Sequence, residues 1–120
     1  MEDRITVNGV EYIRADSVTI QAKSVDGMPY VIVRSDRAGV FAGYLAKRDG
    51  TEVVLCNVRR LWYWDGAASL SQLAVEGVSK PENCKFSTPV PEQIVLGIIE
   101  IIPTSEVARI CVQGVKTWKA

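Results

Sequence analysis

A chain of 120 residues is long enough for one hydrophobic core, and 48% hydrophobic with 23% charged residues is the composition of a globular domain, which excludes an intrinsically disordered one. Fourteen Lys and Arg balance fourteen Asp and Glu, so bulk charge argues against a general polyanion binder, and any anion recognition must be local. The chain has no His, which removes the Ser-His-Asp and Cys-His pairings and the commonest metal ligand.

In chain order, Arg4 to Val7 and Val10 to Ile13 flank Asn8-Gly9, a pair that accepts the positive φ of a two-residue turn, so an N-terminal β-hairpin is expected. Residues 15–27 are a polar connector in which Ser17 to Ala22 reads as a short strand or an arm. From Pro29 the pattern is β: Tyr30 to Arg34, Gly39 to Lys47, an Arg48-Asp49-Gly50 turn, Thr51 to Asn57 and Val58 to Trp64. These form a four-run antiparallel meander unless the last two runs are one bent strand. Alternation places Arg60, Trp62 and Trp64 on one face and Arg59, Leu61 and Tyr63 on the other.

Ala67 to Glu76 carries Leu70, Leu73, Ala74 and Gly77 at helical spacing, with Gly77 as the stop. Residues 79–91 hold three prolines and read as a loop with a short edge strand, and Gln93 to Ile102 as one buried strand. The apolar run Ile94 to Ile102 falls well short of the roughly 20 residues that cross a bilayer, so no membrane segment is expected. A second helix follows, with Thr104 as cap, Glu106 at its positive end, Val107, Ile110, Cys111 and Gly114 as its apolar stripe, and Gly114 as its end. The expected fold is a single α+β domain over residues 1–120, an antiparallel sheet with two short helices, comprising an N-terminal hairpin and arm (1–28) and a core (29–118). The start Met-Glu-Asp-Arg has no secretory pattern, and Cys56, Cys84 and Cys111 form no Cys-x-x-Cys. A reducing, cytoplasmic setting is therefore expected, with Cys56 and Cys111 as small core hydrophobes.

The densest chemistry is the run Asn57-Val-Arg-Arg-Leu-Trp-Tyr-Trp-Asp-Gly66. A guanidinium matches phosphate oxygens two at a time and stacks on rings, and Trp and Tyr offer flat faces to a base. The same residues equally suit anchors of a core or an oligomer interface. Arg59 and Arg60 point to opposite faces and do not grip one phosphate from a single chain. Residues 34–60 hold Arg34, Arg37, Lys47, Arg48, Arg59 and Arg60 against Asp36, Asp49 and Glu52, and the loop from Arg34 to Gly39 reads either as an anion nest or as a plain connection. Phe86, Thr88, Thr104 and Arg109 supply a ring, hydroxyls and a cation of the kind that orient a ribose or base. No paired acid and base, metal-ligand spacing, Walker lysine or GxGxxG is present, so binding without turnover and without a cofactor is expected.

The runs Tyr30 to Leu45, Asn57 to Ala67 and Glu100 to Glu106 resemble the first-described Thoeris anti-defence sponge family of phage and prophage proteins, over about residues 29–118. That resemblance implies an immune-evasion protein that sequesters cyclic ADP-ribose signals made by bacterial TIR enzymes, without degrading them, in the host cytoplasm. It implies a homo-oligomer, dimer or hexamer, with pockets between protomers and a separate arginine-lined pocket for cyclic oligonucleotides. It places Arg34, Phe86, Thr88, Thr104 and Arg109 around the ADP-ribose-like ligand, and Arg59 or Arg60 at an inter-protomer anion site. A single-stranded nucleic-acid binder using Arg60, Trp62 and Trp64, and an interaction module anchored by Trp62, Tyr63 and Trp64, are the competing readings; neutral charge argues against a nucleic-acid polymer.

Overall fold

The computed structural model describes residues 19–120, with the backbone of two N-terminal strands, β1 (Arg4–Val7) and β2 (Val10–Ile13). β1 and β2 pair antiparallel from Arg4↔Ile13 to Val7↔Val10, as a two-residue connection requires; Asn8-Gly9 and residues 14–18 lie outside the described residues. The rest of the fold is an α+β unit built from β3 (Tyr30–Ser35), β4 (Gly39–Asp49), β5 (Glu52–Tyr63), α1 (Leu70–Glu76), β6 (Lys85–Phe86), β7 (Val90–Val95), β8 (Ile98–Pro103) and α2 (Glu106–Gly114).

The six-stranded antiparallel sheet runs β6-β5-β4-β3-β8, and β7 also pairs with β5. The two runs from Thr51 to Trp64 are one strand bent at Asn57, where φ is +48° and the β4–β5 register slips between Ala42 and Tyr44. Tyr44 faces Cys56 on one side of that slip and Ala42 faces Arg59 on the other. Gly43 sits at the bend with no room to spare: an added Cβ would lie 3.0 Å from Val58 Cβ.

The expected strand from Gln93 to Ile102 is instead two strands. Gly97, at φ +71°, turns the chain back, so β7 lies on the outer edge of β5 and β8 on the outer edge of β3. A connection of two residues, Leu96 and Gly97, cannot span an open sheet of this width, so the sheet must roll until its edges meet. Strands that alternate in a rolled sheet bury both faces. Val31, Val33, Phe41, Val53, Leu55, Val58, Val95 and Ile98 form one apolar cluster. Tyr30, Ile32, Ala42, Tyr44, Leu61 and Phe86 form a second cluster with Leu73 and Ala74 of α1 and Val112 of α2.

α1 begins later than expected because Ser69 caps it, its side chain accepting from Gln72 N, and Gly77 ends it at φ +78°. α2 is capped by Ser105, not Thr104: Ser105 Oγ accepts from Ala108 N at 3.0 Å and donates to Val75 O at 2.6 Å. Its buried stripe is also rotated from the expected one. Ala108 and Val112 face the core, while Val107 and Ile110 are 66% and 57% exposed. Small residues win because the helices approach closely: a Cβ on Gly77 would sit 2.8 Å from Cys111 Cβ. Upstream, Ala22 N donates to Thr104 O and Glu106 N to Ile20 O, so the described part of the arm runs beside the α2 N-terminus. No helix among the described residues is long and apolar enough to cross a membrane.

Candidate functional site

β5 carries the arginine pair, and period-2 alternation sends the two guanidiniums to different chemistry. Arg59 is only 2% exposed. Its Nε donates to Ser87 O at 2.8 Å and its Nη1 to Val112 O and Val115 O at 2.8 and 2.7 Å, and its Cζ lies 5.6 Å from the Phe86 ring centroid. Val112 and Val115 stand at the end of α2, whose last turn holds no basic residue of its own, so Arg59 serves as its C-terminal cation from across the fold. Burial lowers the Arg59 pKa from its ordinary value, and the Tyr30 phenol opposes that shift. Phe86 is fully buried beside it.

Arg60 takes the other face. Its Cζ lies 4.8 Å from the Phe41 ring centroid, a cation–π contact with the first cluster. Its backbone is clamped to the β6–β7 connection: Arg60 N donates to Ser87 Oγ at 2.8 Å, and Ser87 N to Arg60 O at 3.0 Å. Among the described residues its guanidinium has no hydrogen-bonded partner. It opens onto a groove of about 430 Å³ lined by Arg60, Ser87, Thr88, Val90, Gln93 and Trp118.

Trp118 is brought there by main-chain pairing. Thr117 bridges to Phe86 in parallel and Trp118 N donates to Phe86 O at 2.9 Å, so the C-terminal segment lies along β6 as a further short strand. The Trp118 ring is half-exposed, and Lys85 Nζ lies 5.3 Å from its centroid and 6.0 Å from that of Tyr63.

Of the residues expected at a ligand, Arg60 and Thr88 come together in this groove. Arg59 and Phe86 lie beneath it as its support. Thr104 is 1% exposed and its Oγ1 donates to Ile102 O, an interior role. Arg109 lies on α2, paired with Glu106 and donating to Gln113 Oε1 at 2.6 Å. The hydrogen bond from Arg109 holds the Glu106 carboxyl below its ordinary value, and the same bond raises the arginine. Arg34 forms a cross-strand ion pair with Glu100 at 3.1 Å and does not line the groove. The loop from Arg34 to Gly39 is no anion nest, because the N–H groups of Arg37 and Ala38 already donate to Ser35 Oγ.

Trp64 packs against the helix-side cluster rather than beside Arg60, since the β5–β6 register shifts between Leu61 and Tyr63. Trp62 is 64% exposed. Sequence reasoning does not single out Trp118, Gln93 or Lys85. The alternation Lys116-Thr117-Trp118-Lys119 is the one signal that could have pointed to a strand with a stacking ring.

Residues 28–112 match a family model described as Domain of unknown function (DUF6948). No curated protein and no solved structure matches the chain.

Proposed function

We propose that this chain, which belongs to that DUF6948 family, is a non-catalytic binding protein that captures a nucleotide-type anion. The observation that carries the reading is the groove lined by Arg60, Ser87, Thr88, Gln93 and Trp118, in which the Arg60 guanidinium has no hydrogen-bonded partner among the described residues. A guanidinium takes a pyrophosphate, hydroxyl and amide groups take a ribose, and an indole stacks on a base. Together with the resemblance to Thoeris anti-defence sponges, this favours a cyclic ADP-ribose-type signal, held intact, in the bacterial cytoplasm during phage infection. The same reading includes a homo-oligomer, for which exposed Val107 and Ile110 on α2 and Ile20 beside it offer an apolar seat.

Native mass spectrometry of the protein with cyclic ADP-ribose isomers tests this reading. The expected result is a stoichiometric adduct of unchanged ligand mass, lost in Arg60→Ala and weakened in Trp118→Ala. A cleaved product, no adduct with any isomer, or full binding by Arg60→Ala would refute it.

A further inference from the structure

The balanced net charge conceals a segregation that only the fold reveals. Among the described residues, Arg60, Lys80, Lys85, Lys116 and Lys119 stand around the end of β5, β6 and the C-terminal segment, against Asp65 and Glu82. All four lysines are exposed, and Asp65 is already engaged by Asn83, whose Nδ2 donates to it at 2.9 Å. Two half-exposed rings, Tyr63 and Trp118, rise from this surface with the Lys85 ammonium between them. Trp118 is also a shared wall: on one side lies the Arg60 groove, and on the other a larger one of about 590 Å³ bordered by Glu82, Lys116 and Lys119.

We propose that this face binds single-stranded nucleic acid, with bases stacking on Trp118 and Tyr63 while Lys85, Lys116, Lys119 and Arg60 track the phosphates. Charge complementarity selects a polyanion. The rings then select a nucleic acid over an acidic peptide, because every base presents a π-face to an indole or phenol and a carboxylate does not. Two adjoining grooves divided by one indole match a ligand that repeats along its length, whereas a single small nucleotide fills only one. The rings are pre-positioned. Trp118 is tied to β6 by its N–H to Phe86 O and by the Thr117–Phe86 bridge, so the backbone that carries the stacking ring is already in place before binding.

The proposal shares Arg60 and Trp118 with the small-nucleotide groove but does not rest on that function, because Lys116 and Lys119 lie outside that groove. The test is fluorescence anisotropy of labelled oligo(dT) and oligo(rU), about 2 to 20 nucleotides long, titrated with the full chain between about 20 and 300 mM salt. The expected affinity grows with length, and its logarithm falls with the logarithm of salt at a slope of about −2 to −3, the mark of three or four phosphate contacts on a single strand. Lys116→Ala/Lys119→Ala reduces the slope by about 1.4, and Trp118→Ala weakens binding roughly tenfold, with Trp118→Phe recovering most of it. The lysine pair variant leaves cyclic ADP-ribose binding unchanged, so the two functions fail separately. No binding at the lowest salt, no growth of affinity with length, or a slope unaltered by Lys116→Ala/Lys119→Ala overturns the proposal. Lys116→Glu/Lys119→Glu, on an exposed surface, serves if the tryptophan variant unfolds.

Discussion

Replacing Arg59 tests whether the first arginine of the pair holds the fold or a ligand. In Arg59→Met the apolar stem survives and the donors vanish, leaving the carbonyls of Ser87, Val112 and Val115 without the bonds at 2.8, 2.8 and 2.7 Å that they now accept. An orphaned buried acceptor costs about 1 to 3 kcal/mol; Val112 O keeps the Val115 N–H, so the two that are orphaned, Ser87 O and Val115 O, amount to roughly 2 to 6 kcal/mol. Against this, the variant no longer strips water from a guanidinium, a penalty of several kcal/mol in the native protein that pairing offsets only in part. A net loss of about 2 kcal/mol follows, which for a domain of this size lowers Tm by about 6 to 12 °C. Arg59→Lys keeps the charge but not the fork, and should fall between the two. Thermal unfolding followed by far-UV circular dichroism supplies the measurement. A Tm for Arg59→Met within about 3 °C of the parent, coupled with loss of nucleotide binding, would refute the argument and return Arg59 to a ligand site.

Four further outcomes are expected. Ser105→Ala loses the cap of α2 and its bond to Val75 O, costing about 1 to 2 kcal/mol in urea unfolding, whereas Thr104→Val costs less because only the bond to Ile102 O is removed; equal losses would count against the assignment of Ser105 as cap. Gly97→Ala places a Cβ 2.6 Å from Asp36 Oδ1 at φ +71°, and a loss of about 1 to 3 kcal/mol is expected; an unchanged midpoint would show that the turn between β7 and β8 tolerates a side chain. Glu106 titrates below its ordinary 4.5 in the folded state because Arg109 donates to it, so its contribution is complete above that value and is lost as pH falls through the lowered pKa. The Tm gap between the parent and Glu106→Gln should therefore close on acidification; a gap that persists at about pH 2 would exclude the pair as its cause. Val107→Asp/Ile110→Asp should dissociate any homo-oligomer in analytical ultracentrifugation without unfolding the protomer, since both positions are exposed; an unchanged assembly would place the interface elsewhere.

The fold was legible wherever one local rule decided the outcome. Asn8-Gly9 specifies the hairpin register, alternation separates Arg59 from Arg60, and Gly77 ends α1. It was illegible where tertiary geometry chooses between two local options. Gln93 to Ile102 is apolar except for Gln93, Gly97 and Glu100, so a strand pair and a single strand read alike until Gly97 is known to need positive φ. α2 offers two apolar stripes one residue apart, and the choice of Ala108 and Val112 depends on how closely Cys111 approaches Gly77. The candidate site was half legible: Arg60 and Thr88 stand out by type, but Trp118 reaches them through a parallel bridge to Phe86, and the short alternation Lys116-Thr117-Trp118-Lys119 does not say which strand it joins.

The two adjacent arginines show how one strand can serve stability and recognition at once. A guanidinium that faces the helix layer meets carbonyls at the end of α2 and is locked; its neighbour, one residue on, must face the opposite side and meets the ring of Phe41. The locked arginine also bonds Ser87 O, and Ser87 in turn returns two bonds to the backbone of Arg60. The rigidity of the groove therefore derives from Arg59, although Arg59 never reaches it. A substitution at 59 should loosen the Ser87-Thr88 wall and weaken nucleotide binding through a faster off-rate, while Arg60→Ala abolishes binding with only the small fall in Tm expected from losing its contact with Phe41. Stopped-flow dissociation of a fluorescent nucleotide from Arg59→Lys separates these routes. An off-rate equal to the parent's would mean that the groove keeps its shape without the clamp.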